Sequence, residues 1–287
     1  MIRLNQTRRQ FSKSLLLGSA LCVVDCLPFL NRGHNKRTPV ALQLYTVRDL
    51  LRDDFVGTVK KVAELGYNAV EFAGYSGLKA GEVKKLLDDL GLQCAGTHEG
   101  FERLENDLDQ VIDFNLVIGN KLIVCPSMPG EWREKGADGF EAFAEKLNAF
   151  GEKITKAGMH FGYHNHDFEF KTAGDKLLID VLFEAADPEL VKAQVDVYWV
   201  KRGGQDPAAF IRKHGKRVVS LHTKDVANDE EQSFAPVGTG LLDFPAIIRA
   251  ARSAGVEWYV VEQDRTKGPV LEAIETSLKN MRKLLSA

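Results

Sequence analysis

The residues of this chain that could do chemistry are concentrated in one short stretch, Gly162–Phe170, which reads GYHNHDFEF. It carries two imidazoles, His164 and His166, and a nearby carboxylate, Glu169. Because alternate residues of a strand point to the same side, His164 and His166 are expected to share a face. Two neutral imidazoles side by side favour a divalent metal or a proton-transfer site. The alternative is that one histidine is a satisfied core residue and the other is exposed.

Similar polar residues recur where other short apolar runs end. These positions are Gln43, Glu71, His98, His164 with His166, Asp196, His222 with Lys224, and Glu262. From His164 onward, the next three such positions follow at intervals of about one structural unit each, so one site could collect all four. Two nitrogens and two carboxylates suit Mn, Fe, Co, Ni or Zn better than Ca.

Asp196, His222 and Glu262 each stand in or directly after an apolar run. Asp196 lies within AQVDVYW, and a charge in such a strand is costly to bury unless it is paired or metal-bound. His222 in VSLHTKD could be a core histidine, although two more ionisable residues follow it. Glu262 ends the run WYVVE. Together the three favour ligands of one cation over three separate core residues.

The elements that must position these residues follow one repeating order from Pro39 onward, an apolar run and then an amphipathic stretch. The predicted strands are 40–45, 69–73, 93–97, 121–125, 160–166, 192–197, 218–222 and 258–262. The predicted helices are 54–65, 80–90, 104–119, 139–157, 177–186, 207–214, 244–254 and 270–285. Eight such units favour an α/β fold, a closed (β/α)8 TIM barrel over 39–287, with chemistry at the C-terminal strand ends. The alternative is an open doubly wound sheet, but the glycine-rich phosphate loop typical of that fold does not follow Tyr45.

Composition excludes some classes of partner. The 287 residues carry 40 acidic and 38 basic side chains, a net charge of −2. This balance lacks the basic footprint of a nucleic-acid-binding protein. Beyond residue 38 only Cys94 and Cys125 remain, and two cysteines do not form a disulfide framework.

The N-terminal segment 1–38 differs from the rest of the chain. Thr7–Lys13, which contains Arg8 and Arg9, precedes the apolar run Ser14–Val24, and this order resembles a twin-arginine export signal. The run is short for a transmembrane helix, which needs about 20 apolar residues. We therefore expect a signal segment and linker, a periplasmic destination, and no stable membrane insertion after export. An uncleaved anchor or an amphipathic arm is the alternative.

Across Val40–Leu285 the chain resembles the xylose-isomerase-like barrel family, which includes sugar phosphate isomerases and epimerases. The segments that carry this resemblance are Leu42–Asp49, Tyr163–Glu169, Leu221–Asp225 and Pro236–Phe244. In that family, glutamate, aspartate, histidine and glutamate at the ends of strands five to eight hold a divalent metal. The resemblance implies Asp196, His222 and Glu262 as three ligands. His164 is the fourth, where many relatives have glutamate.

The resemblance further implies a metal-dependent enzyme that abstracts a proton next to the carbonyl of a sugar or keto-sugar. Manganese is the expected metal, with Zn, Co, Fe or Mg as alternatives. The expected proton-transfer residues are Glu262, His164, His166 and Glu169. The expected substrate-binding residues are Gln43, Glu71, His98 and Lys224. An isomerase or epimerase is the broader reading. A 3-keto-glycoside lyase or hydratase and a non-catalytic carbohydrate-binding barrel remain alternatives, and the oligomeric state is left open.

Overall fold

A computed structural model describes residues 39–287, so the predicted export segment 1–38 lies outside the described residues. Eight parallel strands close a barrel in the order β1-β8-β7-β6-β5-β4-β3-β2. The strands are β1 Val40–Gln43, β2 Ala69–Phe72, β3 Gln93–His98, β4 Leu122–Cys125, β5 His160–His164, β6 Lys192–Asp196, β7 Val218–Thr223 and β8 Trp258–Val261. The prediction of a closed (β/α)8 TIM barrel is confirmed.

Helices connect the strands and cover the outside of the barrel. They are α1 Arg48–Asp53, α2 Phe55–Glu64, α3 Ala80–Leu90, α4 Phe101–Ile118, α5 Gly130–Arg133, α6 Gly136–Lys156, α7 Leu178–Ala185, α8 Val197–Arg202, α9 Pro207–His214, α10 Phe244–Ala254 and α11 Val270–Ser286. Two short antiparallel pairs, 172–173 with 176–177 and 225–226 with 234–235, lie in the loops. Within 39–287, none of these helices combines the length and hydropathy needed to cross a membrane.

Local sequence signals set the helix ends. The carboxylate of Asp54 accepts the amide hydrogen of Gly57 at 2.9 Å and so caps α2. Asp243 caps α10 in the same way, with proline in the first turn, where its missing amide hydrogen is not needed. Gly255 then ends α10 at a φ of 84°, a left-handed conformation that favours glycine.

Packing of α6 against β5 fixes which side chains of β5 point into the barrel. The ring of Phe143 contacts Tyr163 edge-on at a centroid distance of 5.9 Å, and Phe150 contacts Phe161 in the same manner at 6.2 Å. Since alternate residues of a strand face opposite sides, this outward pair turns His164 inward. The helical layer therefore positions a candidate site residue.

The prediction that strand β5 continues to His166 is wrong, because the strand ends at His164. The side chain of Asn165 replaces the next backbone contact with β6, since its Oδ1 accepts the amide hydrogen of Asp196 at 3.0 Å. The first strand is also shorter than predicted. It ends at Gln43, whose side chain accepts the amide hydrogen of Tyr45 at 3.1 Å at the start of a 3-10 turn.

Candidate active site

The strand-end residues meet at the C-terminal mouth of the barrel. Asp196 in β6 lies opposite His222 in β7, and Gln43 in β1 lies opposite Glu71 in β2. Glu262 follows the last residue of β8. Parallel strands in register carry these side chains to the same end, which is where barrel enzymes place their chemistry.

Asp196, His222 and Glu262 can converge on one cation. Each offers a ligand atom, and these three atoms all lie within 4.8 Å of one another. His164 lies beside them, with its Nε2 atom 3.6 Å from Oδ2 of Asp196. His98, His164 and His222 form a second group, in which one ring nitrogen of each also lies within 4.8 Å of the others. The four predicted metal ligands are thus brought together, and their roles stay predictions.

The environment of Asp196 fits a cation ligand. Its Oδ1 atom accepts the amide hydrogens of Tyr198 and Trp199, at 3.0 and 3.2 Å, and so caps α8. Its buried Oδ2 atom has no oriented hydrogen bond within the described residues, although the Lys224 ammonium lies 3.0 Å away. Burial raises the pKa of Asp196 to about 6. A carboxylate that is fixed at Oδ1 and has only an ion pair at Oδ2 suits a metal ligand.

His222 lies between two carboxylates. Its Nδ1 atom is 2.6 Å from Oε2 of Glu262, and its Nε2 atom is 2.6 Å from Oε1 of Glu71. Burial would lower the pKa of His222, but Glu71 and Glu262 raise it to about 10. Burial would likewise raise the pKa of Glu262, but Lys224 and His222 hold it well below its usual range. A cation bound to Nδ1 would replace a proton there, as metal binding generally does.

Lys224 is a buried cation surrounded by carboxylates. Its Nζ atom lies 3.0 Å from Asp196, 2.8 Å from Glu262 and 2.7 Å from Asp264. Burial alone would lower the pKa of Lys224, but these three carboxylates raise it well above its usual value. The ammonium is therefore charged at neutral pH.

Glu71 anchors a hydrogen-bond network beneath the mouth. Its carboxylate accepts hydrogen bonds from Gln43, His222 and Gln194, each at 2.6 Å, and Oε1 lies 3.1 Å from Nε2 of His98. Burial would raise the pKa of Glu71, but the two histidines hold it well below its usual range. Gln43 and Glu71, predicted to bind substrate, thus bind each other, and Glu71 also binds His222.

Gln194 is a site residue that the sequence prediction missed. Its Oε1 atom is 2.7 Å from Nε2 of His98 and 3.1 Å from Nδ1 of His164, while its amide nitrogen donates to Glu71. It precedes Asp196 by two residues on the same strand, so the two share a face. That spacing was the signal that could have identified it.

His164 and His166 remain close although the strand ends between them. Their ring centroids are 5.1 Å apart. Burial lowers the pKa of His164 well below its usual value and lowers the pKa of His166 to about 3. Both imidazoles are therefore neutral at neutral pH. The Nδ1 atom of His166 is buried and has no hydrogen-bond partner within the described residues.

Glu169 lies behind His166. Its carboxyl oxygens accept a hydrogen bond from Tyr163 at 2.7 Å and the amide hydrogen of His166 at 2.9 Å. Burial raises its pKa to about 8. The carboxyl group thus holds the loop that carries His166 and does not line the cavity at the mouth of the barrel.

A cavity of about 390 Å³ opens at the mouth, and we call it the reaction cavity. Five predicted site residues line it: His98, His164, His166, Lys224 and Glu262. Tyr45, Ser127 and Asp264 also line it and were not predicted. Its size is typical of small-molecule sites, which are about 300–1,000 Å³.

The chain belongs to the xylose isomerase-like TIM barrel family, whose model matches residues 59–284. This assignment agrees with the closed barrel and with the site at its C-terminal mouth.

Among characterised proteins, the chain is similar to an inosose dehydratase of Geobacillus thermodenitrificans. The two are 27% identical over 238 residues, which cover 67% of this chain and 79% of that protein. The crystal structure of a sugar phosphate isomerase/epimerase from Parabacteroides distasonis is similar with a TM-score of 0.74 and 26% identity, covering 89% of this chain and 98% of that one. The IOLI protein, solved with a bound zinc atom, shares the fold with a TM-score of 0.67 and 13% identity, covering 86% and 98% of the two chains.

Proposed function

We propose that this protein is a divalent-metal-dependent dehydratase that acts on a keto-sugar or a related cyclic polyol ketone. It would remove a proton next to the carbonyl and expel the neighbouring hydroxyl as water. The similarity to an inosose dehydratase supports this reaction class. The observation that carries the proposal is the unequal distribution of acid-base groups around the reaction cavity.

The carboxylates that line the reaction cavity, Glu262 and Asp264, both follow β8. The groups from the other side are the imidazoles of His98 on β3, His164 at the end of β5 and His166 just after it. An epimerisation that exchanges a proton between two faces is served best by two matched bases. An elimination needs only one if that base returns its proton to the leaving group on the same face.

Glu262 is the proposed base. Its Oε2 atom contacts both His222 and Lys224, whereas its other oxygen has no protein donor within the described residues. Glu262 would take the proton from the carbon next to the carbonyl as the carbon–carbon double bond forms. It would then pass this proton to the departing hydroxyl, so that water leaves and the carboxylate is regenerated.

The proposed metal ligands are His164, Asp196, His222 and Glu262. A bound divalent cation would polarise the carbonyl and stabilise the negative charge that develops on its oxygen. Manganese is the metal we expect, and zinc is the alternative supported by the related IOLI protein. The donor set of two nitrogens and two carboxylate oxygens is compatible with either.

Lys224 and the neutral imidazoles would orient the substrate. The charged Lys224 ammonium can donate to an oxygen that gains negative charge, in a site where burial strengthens the interaction. His98 and His166 line the cavity and can exchange hydrogen bonds with sugar hydroxyls. Gln43 and Glu71 would act through His222, because their side chains are bonded to each other below it.

A second candidate is isomerisation or epimerisation, which is the broader reading of the sequence. His166 favours it, because a neutral imidazole on the far side of the cavity can accept or return a proton at the opposite face of the sugar. The similarity to a sugar phosphate isomerase/epimerase is in line with this alternative.

The test is to load the purified protein with Mn or Zn and to supply inosose and 3-keto-sugars in deuterium oxide. We expect a metal-dependent rise in ultraviolet absorbance from the conjugated ketone, which Glu262→Gln should abolish. Deuterium incorporation with recovery of an isomeric sugar would instead favour the second candidate. If neither dehydration nor exchange occurs with any metal or substrate, both candidates are wrong.

We also propose, from the sequence alone, that Arg8 and Arg9 direct export to the periplasm. Replacing both with lysine should retain the full-length protein in the cytoplasm of a host that has twin-arginine transport. Unchanged periplasmic recovery of the double variant would contradict this proposal.

A further inference from the structure

Arg133, the last residue of α5, contacts two neighbouring loops at the mouth of the barrel. Its Nε atom donates to the backbone oxygen of Met128 at 2.6 Å, and its Nη2 atom donates to Oγ of Ser127 at 2.7 Å. Its Cζ atom lies 3.7 Å from the ring centroid of Phe168. Ser127 follows β4, whereas Phe168 follows β5. One guanidinium group therefore joins the two loops.

The imidazole of His166 is held mainly by neighbouring rings. Its Nδ1 atom is buried and has no hydrogen-bond partner in the described part of the chain. The ring is stacked with Phe168 at a centroid distance of 5.9 Å, and it also lies 5.5 Å from the ring of Trp199. Trp199 is itself fixed, because Asp196 accepts its amide hydrogen at 3.2 Å. Since Arg133 lies over the ring of Phe168, a shift of the guanidinium would be passed on to His166.

The same guanidinium group decides how Ser127 can form hydrogen bonds. A guanidinium donates hydrogen bonds and cannot accept them, so Oγ of Ser127 is the acceptor of this bond. The hydroxyl hydrogen is left over, and no protein acceptor takes it within residues 39–287. Ser127 lines the reaction cavity. Its hydroxyl group is therefore oriented to donate to an oxygen of a molecule bound there.

This combination of contacts suits arginine better than lysine. A planar guanidinium can donate to two oxygens and stack on an aromatic ring at the same time, whereas an ammonium group is a compact point charge. Arg133 is exposed and does not line the reaction cavity. It can therefore affect the cavity only through the residues that it contacts.

We propose that Arg133 is a positioning residue of the reaction cavity. It orients Ser127 as a hydrogen-bond donor to the substrate, and it keeps His166 in place through Phe168. The role of Ser127 rests on the proposed function, because it needs a keto-sugar in the cavity. Ser127 would donate to a hydroxyl or carbonyl oxygen of that molecule from the loop after β4, and His166 would face it from the loop after β5.

The first measurement does not require turnover. The imidazole proton signals are recorded by NMR in the presence of zinc, and those of His166 are identified by their loss in His166→Gln. We expect them upfield of free histidine, because the neighbouring aromatic rings shield these protons. Arg133→Met should move them toward the free-histidine positions, and Arg133→Lys, which keeps a cation near Phe168, should move them less. Unchanged His166 signals in Arg133→Met would overturn the proposed coupling.

Lys135→Met is the matched control for this measurement. The Lys135 ammonium lies 5.0 Å from the ring centroid of Trp132, so the change removes another cation–π contact of the same segment. Neither Lys135 nor Trp132 lines the reaction cavity. The His166 signals of this variant should match those of the wild type. Equal shifts in the Lys135 and Arg133 variants would overturn the assignment to Arg133.

The second measurement uses the dehydration assay with inosose. Ser127→Ala should raise KM about two- to tenfold, as expected for one hydrogen bond, with kcat within about twofold of the wild type. Arg133→Met should raise KM at least as much. The double variant should show less than the product of the two single effects, because both changes remove the same interaction.

Effects on KM that multiply, or a wild-type KM in Ser127→Ala, would overturn the role of Ser127. If the wild-type protein dehydrates neither inosose nor a 3-keto-sugar, the proposed function and the substrate contact of Ser127 both fail. The His166 signals would then still decide whether Arg133 positions this imidazole.

Discussion

Replacing Glu71 with glutamine tests the network beneath the mouth of the barrel. The carboxylate is fully buried and accepts Gln43 and His222 at Oε1 and Gln194 at Oε2. A glutamine amide has one accepting oxygen, so in either orientation an N–H group faces another donor. Each charge-assisted bond contributes about 1.5–3 kcal/mol, and breaking a buried charge pair typically costs about 3–5 kcal/mol. We expect Glu71→Gln to lower the free energy of unfolding by about 3–5 kcal/mol.

The same change should weaken metal binding, because Glu71 orients the imidazole of His222. Loss of a carboxylate partner to a ligating histidine typically reduces metal affinity about 10–100-fold. Urea denaturation measures the stability change, and manganese titration calorimetry measures the affinity. Glu105→Gln is the control, since its pair with Lys146 is on the surface and contributes about 0–1 kcal/mol. If Glu71→Gln unfolds at the wild-type urea concentration and binds manganese within twofold, the network does not have this role.

Three further predictions concern the same mouth. Burial raises the pKa of Glu169 to about 8 from 4.5, so the folded carboxyl holds a proton that the unfolded chain releases. Its contribution to the free energy of unfolding is complete below about pH 4.5 and declines by about 1.4 kcal/mol per pH unit up to about pH 8. Glu169→Gln should flatten this decline when urea titrations are repeated across that pH range. An unchanged slope of the free energy of unfolding against pH would contradict the prediction. Lys224→Met removes the ammonium from three carboxylates, of which Glu262 keeps its bond to His222. It should cost the metal-free protein about 3–5 kcal/mol, part of which manganese should restore; equal losses with EDTA and with manganese would count against a cation site. Asp196→Asn and His164→Ala should each weaken manganese binding at least tenfold with an unchanged circular dichroism spectrum, and wild-type affinity in either would remove that residue from the ligand set.

The sequence predicted the architecture well because each barrel unit is signalled locally. Helix α3, for example, runs from Ala80 to Leu90, as its amphipathic pattern and the following glycine predict. The end of β5 was mispredicted because the Asn165 side chain takes over a hydrogen bond that a strand would make. Periodicity does not indicate when a side chain replaces a backbone partner.

The sequence could not predict how deep each site residue lies within the mouth of the barrel. A strand-end position indicates which face a residue occupies, but it does not separate the cavity wall from the layer below it. His98 and Lys224 line the reaction cavity, whereas Gln43 and Glu71 lie in the buried network. Asp264 was not predicted because it lies in the turn after β8, where the alternation of side chains along a strand no longer applies.

The proposed metal centre is tested most directly by anomalous diffraction from crystals grown with manganese. The proposed function requires one strong peak in contact with Asp196, His222 and Glu262, with His164 within coordinating distance. A well-ordered structure without a peak at this position, or with the only peak elsewhere, would contradict the claim that these strand ends form a metal centre.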